Sequence, residues 1–168
     1  MKQLKPDPEV IAALIPVIKG SKEIWKVLPN EGVTLEDVKA TPLPSEDVEK
    51  SPNRCFHLLN GDEHLEKASD ILGGQKIRNR LVYPPNSTMG WHTNSDHEGI
   101  RTYYSFTVKP GRFIYLHPET GQMIVDSDQV GWTVRQFEIS KDKPLWHCVW
   151  ADGVRFSFGF TQPIEEAN

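Results

Sequence analysis

A mainly β fold with helices confined to its N-terminal part, built as a double-stranded β-helix of the jelly-roll or cupin-like kind, is predicted by three features of this chain. After Gly74 the residues become aromatic and β-branched, in short runs broken by turn signals. About eight such runs fit into roughly 85 residues, the texture of antiparallel strands closing on themselves. Before Gly74, apolar residues recur at helical spacing instead.

Asp7, Pro8 and Glu9 read as an N-cap, a first-turn proline and an acid near the positive helix end. Val10, Ile11, Leu14, Ile15 and Ile18 then share a face, and Gly20 can stop the helix. Pro16 falls inside this run and is expected to kink the helix or end it near Leu14, because it cannot donate to the carbonyl four residues back. Ser21 to Leu28 is a second short apolar piece. Between Pro29 and Pro52 proline and acid dominate, which reads as a surface connection. Asp62 to Leu72 returns to helical spacing through Leu65, Ala68 and Leu72, and Gly73-Gly74 ends it. A single domain is expected, with residues 1–75 packing as a helical and irregular segment on a β core at 76–162.

The strands follow. Ile77 to Tyr83 is one, with Pro84-Pro85-Asn86-Ser87 as its turn; Arg101 to Val108 is another, ended by Lys109-Pro110-Gly111. Arg112 to Leu116 and Gln122 to Val125 flank the hairpin turn His117-Pro-Glu-Thr-Gly121. Val130 to Ile139 and Leu145 to Trp150 come next, and Asp152-Gly153 is a strong hairpin signal leading into Val154 to Phe160.

A net charge of −4, from 23 acidic and 19 basic residues, supplies no field that would gather nucleic acid or an anionic membrane. No apolar run approaches the roughly 20 residues that span a bilayer. The first residues, Met-Lys-Gln-Leu-Lys-Pro, lack the apolar core of a signal peptide, so a cytoplasmic protein is expected. Cys55 and Cys148 are too few for a disulfide framework or a four-thiolate zinc site, and packing is their expected role.

The chemistry-bearing residues gather between Tyr83 and Ser157. His92 and His147 lie 55 positions apart, each among aromatic and apolar neighbours. On an extended strand His92, Asn94 and Asp96 project from one face, so Asp96 can join the two imidazoles as a metal ligand. Two imidazoles and a carboxylate on one triangular face leave three positions open on an octahedral ion, which suits Fe(II), a bidentate keto acid and dioxygen. A guanidinium deeper in the barrel is then needed for the keto acid's far carboxylate. Arg155 fits, because Phe156, Phe158 and Phe160 turn the other face of that strand into the core and leave Arg155 and Ser157 side by side. Asn94, a neutral and weak donor, is expected beside the metal rather than on it.

Taken together, Tyr83-x-x-Asn86, His92-x-x-x-Asp96 and His147-x7-Arg155-x-Ser157 resemble the Fe(II)/2-oxoglutarate-dependent oxygenase superfamily. Within it, Trp91-His92-Thr93-Asn94 followed by Arg101, with His147-Cys-Val-Trp150, is similar to the aspartyl/asparaginyl β-hydroxylase branch. The resemblance covers roughly residues 77 to 160. It departs from the superfamily at Asn94, where most members carry a carboxylate, so that either Asp96 or a water completes the metal's ligands, and in a shorter interval from His147 to Arg155. It implies Fe(II) held by His92 and His147 as catalytic ligands, with 2-oxoglutarate as co-substrate, decarboxylated to succinate while dioxygen hydroxylates a small metabolite, amino acid or peptide. It further implies that Arg101 shares carboxylate binding with Arg155 or orients substrate, that Tyr83, Tyr103 and Tyr104 line the site, and that Trp91, Trp146 and Trp150 wall it.

Three other readings compete. An Fe/2-oxoglutarate halogenase would seat chloride where the carboxylate is missing, although Asn94 is bulkier than the small residue such enzymes carry. A non-catalytic cupin-like binding module or virion-associated structural module would bind neither iron nor keto acid. A zinc hydrolase with Asp96 or Glu98 as base would leave the Arg-x-Ser pair unused.

Overall fold

A computed structural model describes residues 1–21, 55–95 and 97–163 of the chain. Among these, ten strands form two antiparallel sheets. In the larger, β1 (Lys2–Leu4), β8 (Gly131–Ile139), β5 (Gly99–Thr107), β10 (Arg155–Gln162), β3 (Lys76–Tyr83) and β2 (Phe56–His57) lie in that order. In the smaller the order is β4 (Ser87–His92), β9 (His147–Ala151), β6 (Gly111–Leu116) and β7 (Met123–Ser127). The chain therefore crosses from sheet to sheet between β3, β4, β5 and β6, and again between β8, β9 and β10. Two sheets wound in this way over a shared interior make a double-stranded β-helix.

The runs expected from sequence form strands within a few residues of their predicted bounds. Asp152-Gly153 is the exception in kind: β9 bonds to β4 and β6, whereas β10 bonds to β3 and β5, so this turn carries the chain between sheets and closes no hairpin. Gly153 serves close approach there, since a Cβ would stand 2.9 Å from that of Lys109. The His117–Gly121 turn does join a hairpin, with Leu116 opposite Met123 and Gly121 at φ +65°.

Helix α1 (Pro8–Gly20) starts as expected, the Asp7 carboxylate accepting the Glu9 N–H at 2.8 Å. It runs on through Pro16. Val10, Ala13, Leu14 and Val17 form one buried stripe that continues past the proline, so packing outweighs the lost hydrogen bond, and Ile15 faces outward instead. Helix α2 (Asp62–Ile71) ends at Gly73 and Gly74, both with φ near +75° to +77°. The piece from Ser21 to Leu28, apart from Ser21, and the connection to Pro52 lie outside the described residues. No described helix is long and apolar enough to cross a membrane.

Both helices cover the outer face of the larger sheet. Leu14, Val17, Leu65 and Ala68 meet Phe156, Phe158, Phe160, Val82 and Val134 there. Tyr104 belongs to this cluster as well, which places it on the far side of the sheet from the interior. Phe158 is fully buried, and Phe158→Ala is expected to cost about 3–5 kcal/mol in urea unfolding. Alternation leaves Arg155, Ser157 and Gly159 on the inner face, in step with Thr107, Ser105 and Tyr103 of β5. Cys148 is fully buried and burial pushes the Cys55 thiol up to about 11, so both behave as packing groups.

Candidate functional site

The inner faces meet at a narrow cleft with a cavity volume of about 20 Å³. His92 and His147 stand at one part of it, Arg155, Ser157, Ser105 and Tyr83 at another, with Tyr103, Phe113 and Arg135 also lining it.

The histidines are brought together by strand register. β4 pairs with β9 so that His92 lies opposite His147, and the rings sit 4.2 Å apart between centroids. Met89 pairs with Val149 two positions along β9, so β4 carries one extra residue in that interval. This bulge at Gly90-Trp91 lets both Met89 and His92 face the cleft, although an odd separation would otherwise set them on opposite faces. Trp91 is thereby turned outward, into a cluster with Ile114, Cys148 and Trp150 on the other face of the smaller sheet, and Trp146 packs against the same cluster. The three tryptophans therefore do not wall the cleft; Phe113 and Phe137 do that for His147, Phe113 stacked on its ring at 5.0 Å and Phe137 meeting it edge-on at 5.8 Å.

Each imidazole is fixed by its own strand. The His92 Nδ1–H donates to the Gly90 carbonyl at 2.7 Å, and the His147 Nδ1–H to the Leu145 carbonyl at 2.8 Å. With Nδ1 committed as donor, Nε2 of each ring carries a lone pair. Burial lowers the pKa of His92, and nearby Arg101 adds to this against the pull of the Gly90 carbonyl. His147 is held well below the usual imidazole range by burial, then by His92, with Arg101 contributing. Both rings are therefore neutral and available as donors at neutral pH.

Asn94 reaches the His147 ring directly. Its side-chain amide donates from Nδ2 to Nε2 of His147 at 3.2 Å. Its loop is pinned by the His97 N–H bonding the Asn94 carbonyl at 3.1 Å and by Arg101 donating to the His97 carbonyl at 3.3 Å. Asp96 lies outside the described residues. Among those described, no group of three His, Cys, Asp or Glu side chains is arranged to hold a metal.

Arg155 is buried in the opposite wall, with its guanidinium over the Tyr83 ring at 5.2 Å. Nε donates to Asp128 at 2.8 Å and Nη2 to the Ser105 hydroxyl at 2.9 Å, while Nη1 is buried with no hydrogen-bond partner. Burial works against the charge of Arg155, yet Asp128 beside it raises the pKa, so the cation is retained. Arg101 does not share this position. Arg101 faces Thr161 and Arg155 faces Thr107, six residues apart along β10, or about 20 Å of strand. It serves the histidine end instead. Tyr83 is buried at the cleft with its hydroxyl toward the Met89 sulfur, and the Tyr103 hydroxyl accepts from Asn79 at 3.1 Å.

Two residues of this wall, Asp128 and Arg135, escape the sequence reading. Asp128 is fully buried and bridges Arg155 to Arg135, which also bonds Asp126 at 3.0 Å. Gly111 makes room for it, since a Cβ there would meet the Asp128 carboxylate at 2.6 Å. A signal for Arg135 is present in the sequence, because it alternates in phase with Thr133, Phe137 and Ile139 and so falls on the interior face of β8.

No family model and no curated protein matches the chain. Among solved structures, a prolyl hydroxylase from Trichoplax adhaerens, in complex with a hypoxia inducible factor oxygen degradation domain peptide fragment, aligns at 14% identity and a TM-score of 0.53. That alignment covers 96% of this chain and 80% of that one. An oxidoreductase of the 2OG-Fe(II) oxygenase family from Burkholderia pseudomallei aligns at 14% identity and a TM-score of 0.44, covering 96% and 92%. The Drosophila melanogaster CENP-C cupin domain aligns at 12% identity and a TM-score of 0.38, covering 49% of this chain and 58% of that domain, a little over half its length. The likeness to the Trichoplax structure, which spans nearly the whole chain, shows that the fold is the one the alternating sheets describe.

Proposed function

We propose that this protein is an Fe(II)/2-oxoglutarate-dependent oxygenase that hydroxylates an amino-acid side chain, as a free metabolite or within a peptide. The observation that carries the reading is one cleft holding two neutral imidazoles with unprotonated Nε2 atoms and, in its other wall, a buried guanidinium whose Nη1 has no partner. The residues present fit both groups. His92 and His147 would hold the iron, and Arg155, with Ser157 and Tyr83 beside it, would receive the far carboxylate of the keto acid. When bound, these groups supply reductive cleavage of dioxygen, one oxygen atom going to a C–H bond and the other to succinate as carbon dioxide leaves.

The chain's own contribution is preparation. The Gly90 and Leu145 carbonyls hold the imidazoles in the tautomer that binds metal. Arg101 disfavours imidazolium at both rings, and Phe113 and Phe137 exclude water from His147. A peptide substrate is compatible with the Trichoplax enzyme, which was solved with one. The finer placement in the aspartyl/asparaginyl β-hydroxylase branch rests on Trp91-His92-Thr93-Asn94 followed by Arg101, and on His147-Cys-Val-Trp150 with Arg155 nearby.

One observation favours the non-catalytic cupin-like module. Asp128 already occupies the Nε edge of Arg155, so part of the guanidinium is neutralised from within. Anaerobic addition of Fe(II) and 2-oxoglutarate to metal-free protein separates the two readings. The oxygenase is expected to show the weak visible charge-transfer band of a chelated keto acid, and a folded protein without that band would support the scaffold.

A further inference from the structure

Resting on the metal reading above, we infer that Asn94 is itself the third protein ligand, through its side-chain carbonyl, and that this carboxylate-free set makes divalent metal binding depend on an anionic chelator bound at the same time. Three observations lead there. The Asn94 amide tip is 3.2 Å from His147 Nε2. Two donors bound at right angles to one ion, each at roughly 2.1 Å, stand about 3 Å apart, so the spacing that a hydrogen bond sets here also suits two ligands of a common cation. A half-turn of the amide presents Oδ1 at the same place, with no movement of the backbone that His97 and Arg101 pin. Finally, among the described residues no carboxylate or thiolate joins His92 and His147 to complete a triad.

The charge balance gives the inference its consequence. A site with one carboxylate cancels half the charge of a divalent ion, whereas two imidazoles and an amide cancel none of it. Arg101, whose guanidinium donates to the His97 carbonyl at 3.3 Å in the loop that carries Asn94, adds further positive charge nearby. A cation entering alone is therefore opposed, and one entering with the carboxylate of a keto acid is not. Linkage makes the effect mutual: the chelator raises metal affinity by the factor by which metal raises chelator affinity.

Cobalt(II) titration tests this, read by its visible ligand-field absorption with and without 2-oxoglutarate. Wild-type protein is expected to bind cobalt weakly alone and at least tenfold more tightly with 2-oxoglutarate. Asn94→Asp, nearly isosteric, is expected to bind cobalt alone at least tenfold more tightly and to lose most of the dependence on the keto acid. Asn94→Ala is expected to weaken binding tenfold or more and to change the band, whereas Asp96→Ala leaves both as in wild type. Wild-type affinity and spectrum in Asn94→Ala, with binding lost in His147→Ala, would overturn the Asn94 assignment while leaving the metal site in place. Loss of binding in Asp96→Ala would overturn it too. Absence of cobalt binding by folded wild-type protein under every condition would instead remove the oxygenase reading on which the inference rests.

Discussion

Asp128→Ala is expected to lower unfolding stability at neutral pH by about 3–5 kcal/mol, the cost of leaving a buried cation without its counter-charge. Asp128 sits fully buried between Arg155, whose Nε it accepts at 2.8 Å, and Arg135. Both guanidiniums are themselves almost wholly buried; the variant strands Arg155 and leaves Arg135 with Asp126 alone. Burial alone would raise the Asp128 pKa, yet Arg155 and then Arg135 outweigh it and hold the carboxyl below its ordinary range. A carboxyl whose folded pKa is depressed contributes stability that is complete above the unfolded value near 3.9 and is lost as pH falls through the folded one. Asp128→Asn keeps the shape and removes this contribution, so its stability is expected to fall less steeply than that of wild type as pH is lowered through that window. Urea unfolding at neutral and acid pH measures both effects. An Asp128→Ala protein within about 1 kcal/mol of wild type would show that the pair is solvated and that Arg155 is not held by it.

The same wall explains what the sequence could and could not disclose. The phase of Phe156, Phe158 and Phe160 sets Arg155 and Ser157 on the interior face by alternation alone, and the structure keeps that arrangement. The crossing at Asp152-Gly153 is different. Its dipeptide marks a sharp turn, but whether the next strand pairs with the previous one or joins the opposite sheet depends on partners that lie 40 or more residues away. Trp91 is misread for another reason: its place beside His92 in the chain suggests a shared site, whereas alternation sets adjacent residues on opposite faces, and Trp91 packs with Ile114, Cys148 and Trp150. Arg101 follows a third pattern. Its inward face is legible from strand phase, but its distance from Arg155 is fixed by the register of β5 on β10, which no local feature encodes. Ion-pair partners such as Asp128 lie beyond strand periodicity altogether, since Asp128 sits in the loop between β7 and β8 and bonds across the interior.

His147→Ala is expected to abolish succinate formation and to weaken Fe(II) binding by more than about 100-fold, since removing even a group that merely orients a metal ligand costs 10- to 100-fold. His147 makes more of the site than His92 does. It is 2% exposed, its Nδ1–H is committed to Leu145, and its Nε2 faces the Asn94 amide. The ring also fills the space between Phe113 and Phe137, so truncation opens a cavity as well as deleting a donor. His147→Gln separates the two effects: it retains volume and polarity at the cleft, is expected to recover most of the stability lost by the alanine variant, and still fails to retain iron. His117→Ala provides the complementary control, because His117 lies in the β6–β7 turn, where its ring accepts the Glu119 N–H at 3.3 Å, and should leave iron binding and turnover unchanged. Iron content per chain after desalting, succinate release and the thermal midpoint, measured on all four proteins, decide the matter. Stoichiometric iron and undiminished succinate in a folded His147→Ala protein would mean that the paired imidazoles are a packing feature of the interior, and the cleft would then have to bind its cation, if it binds one, through some other set of atoms.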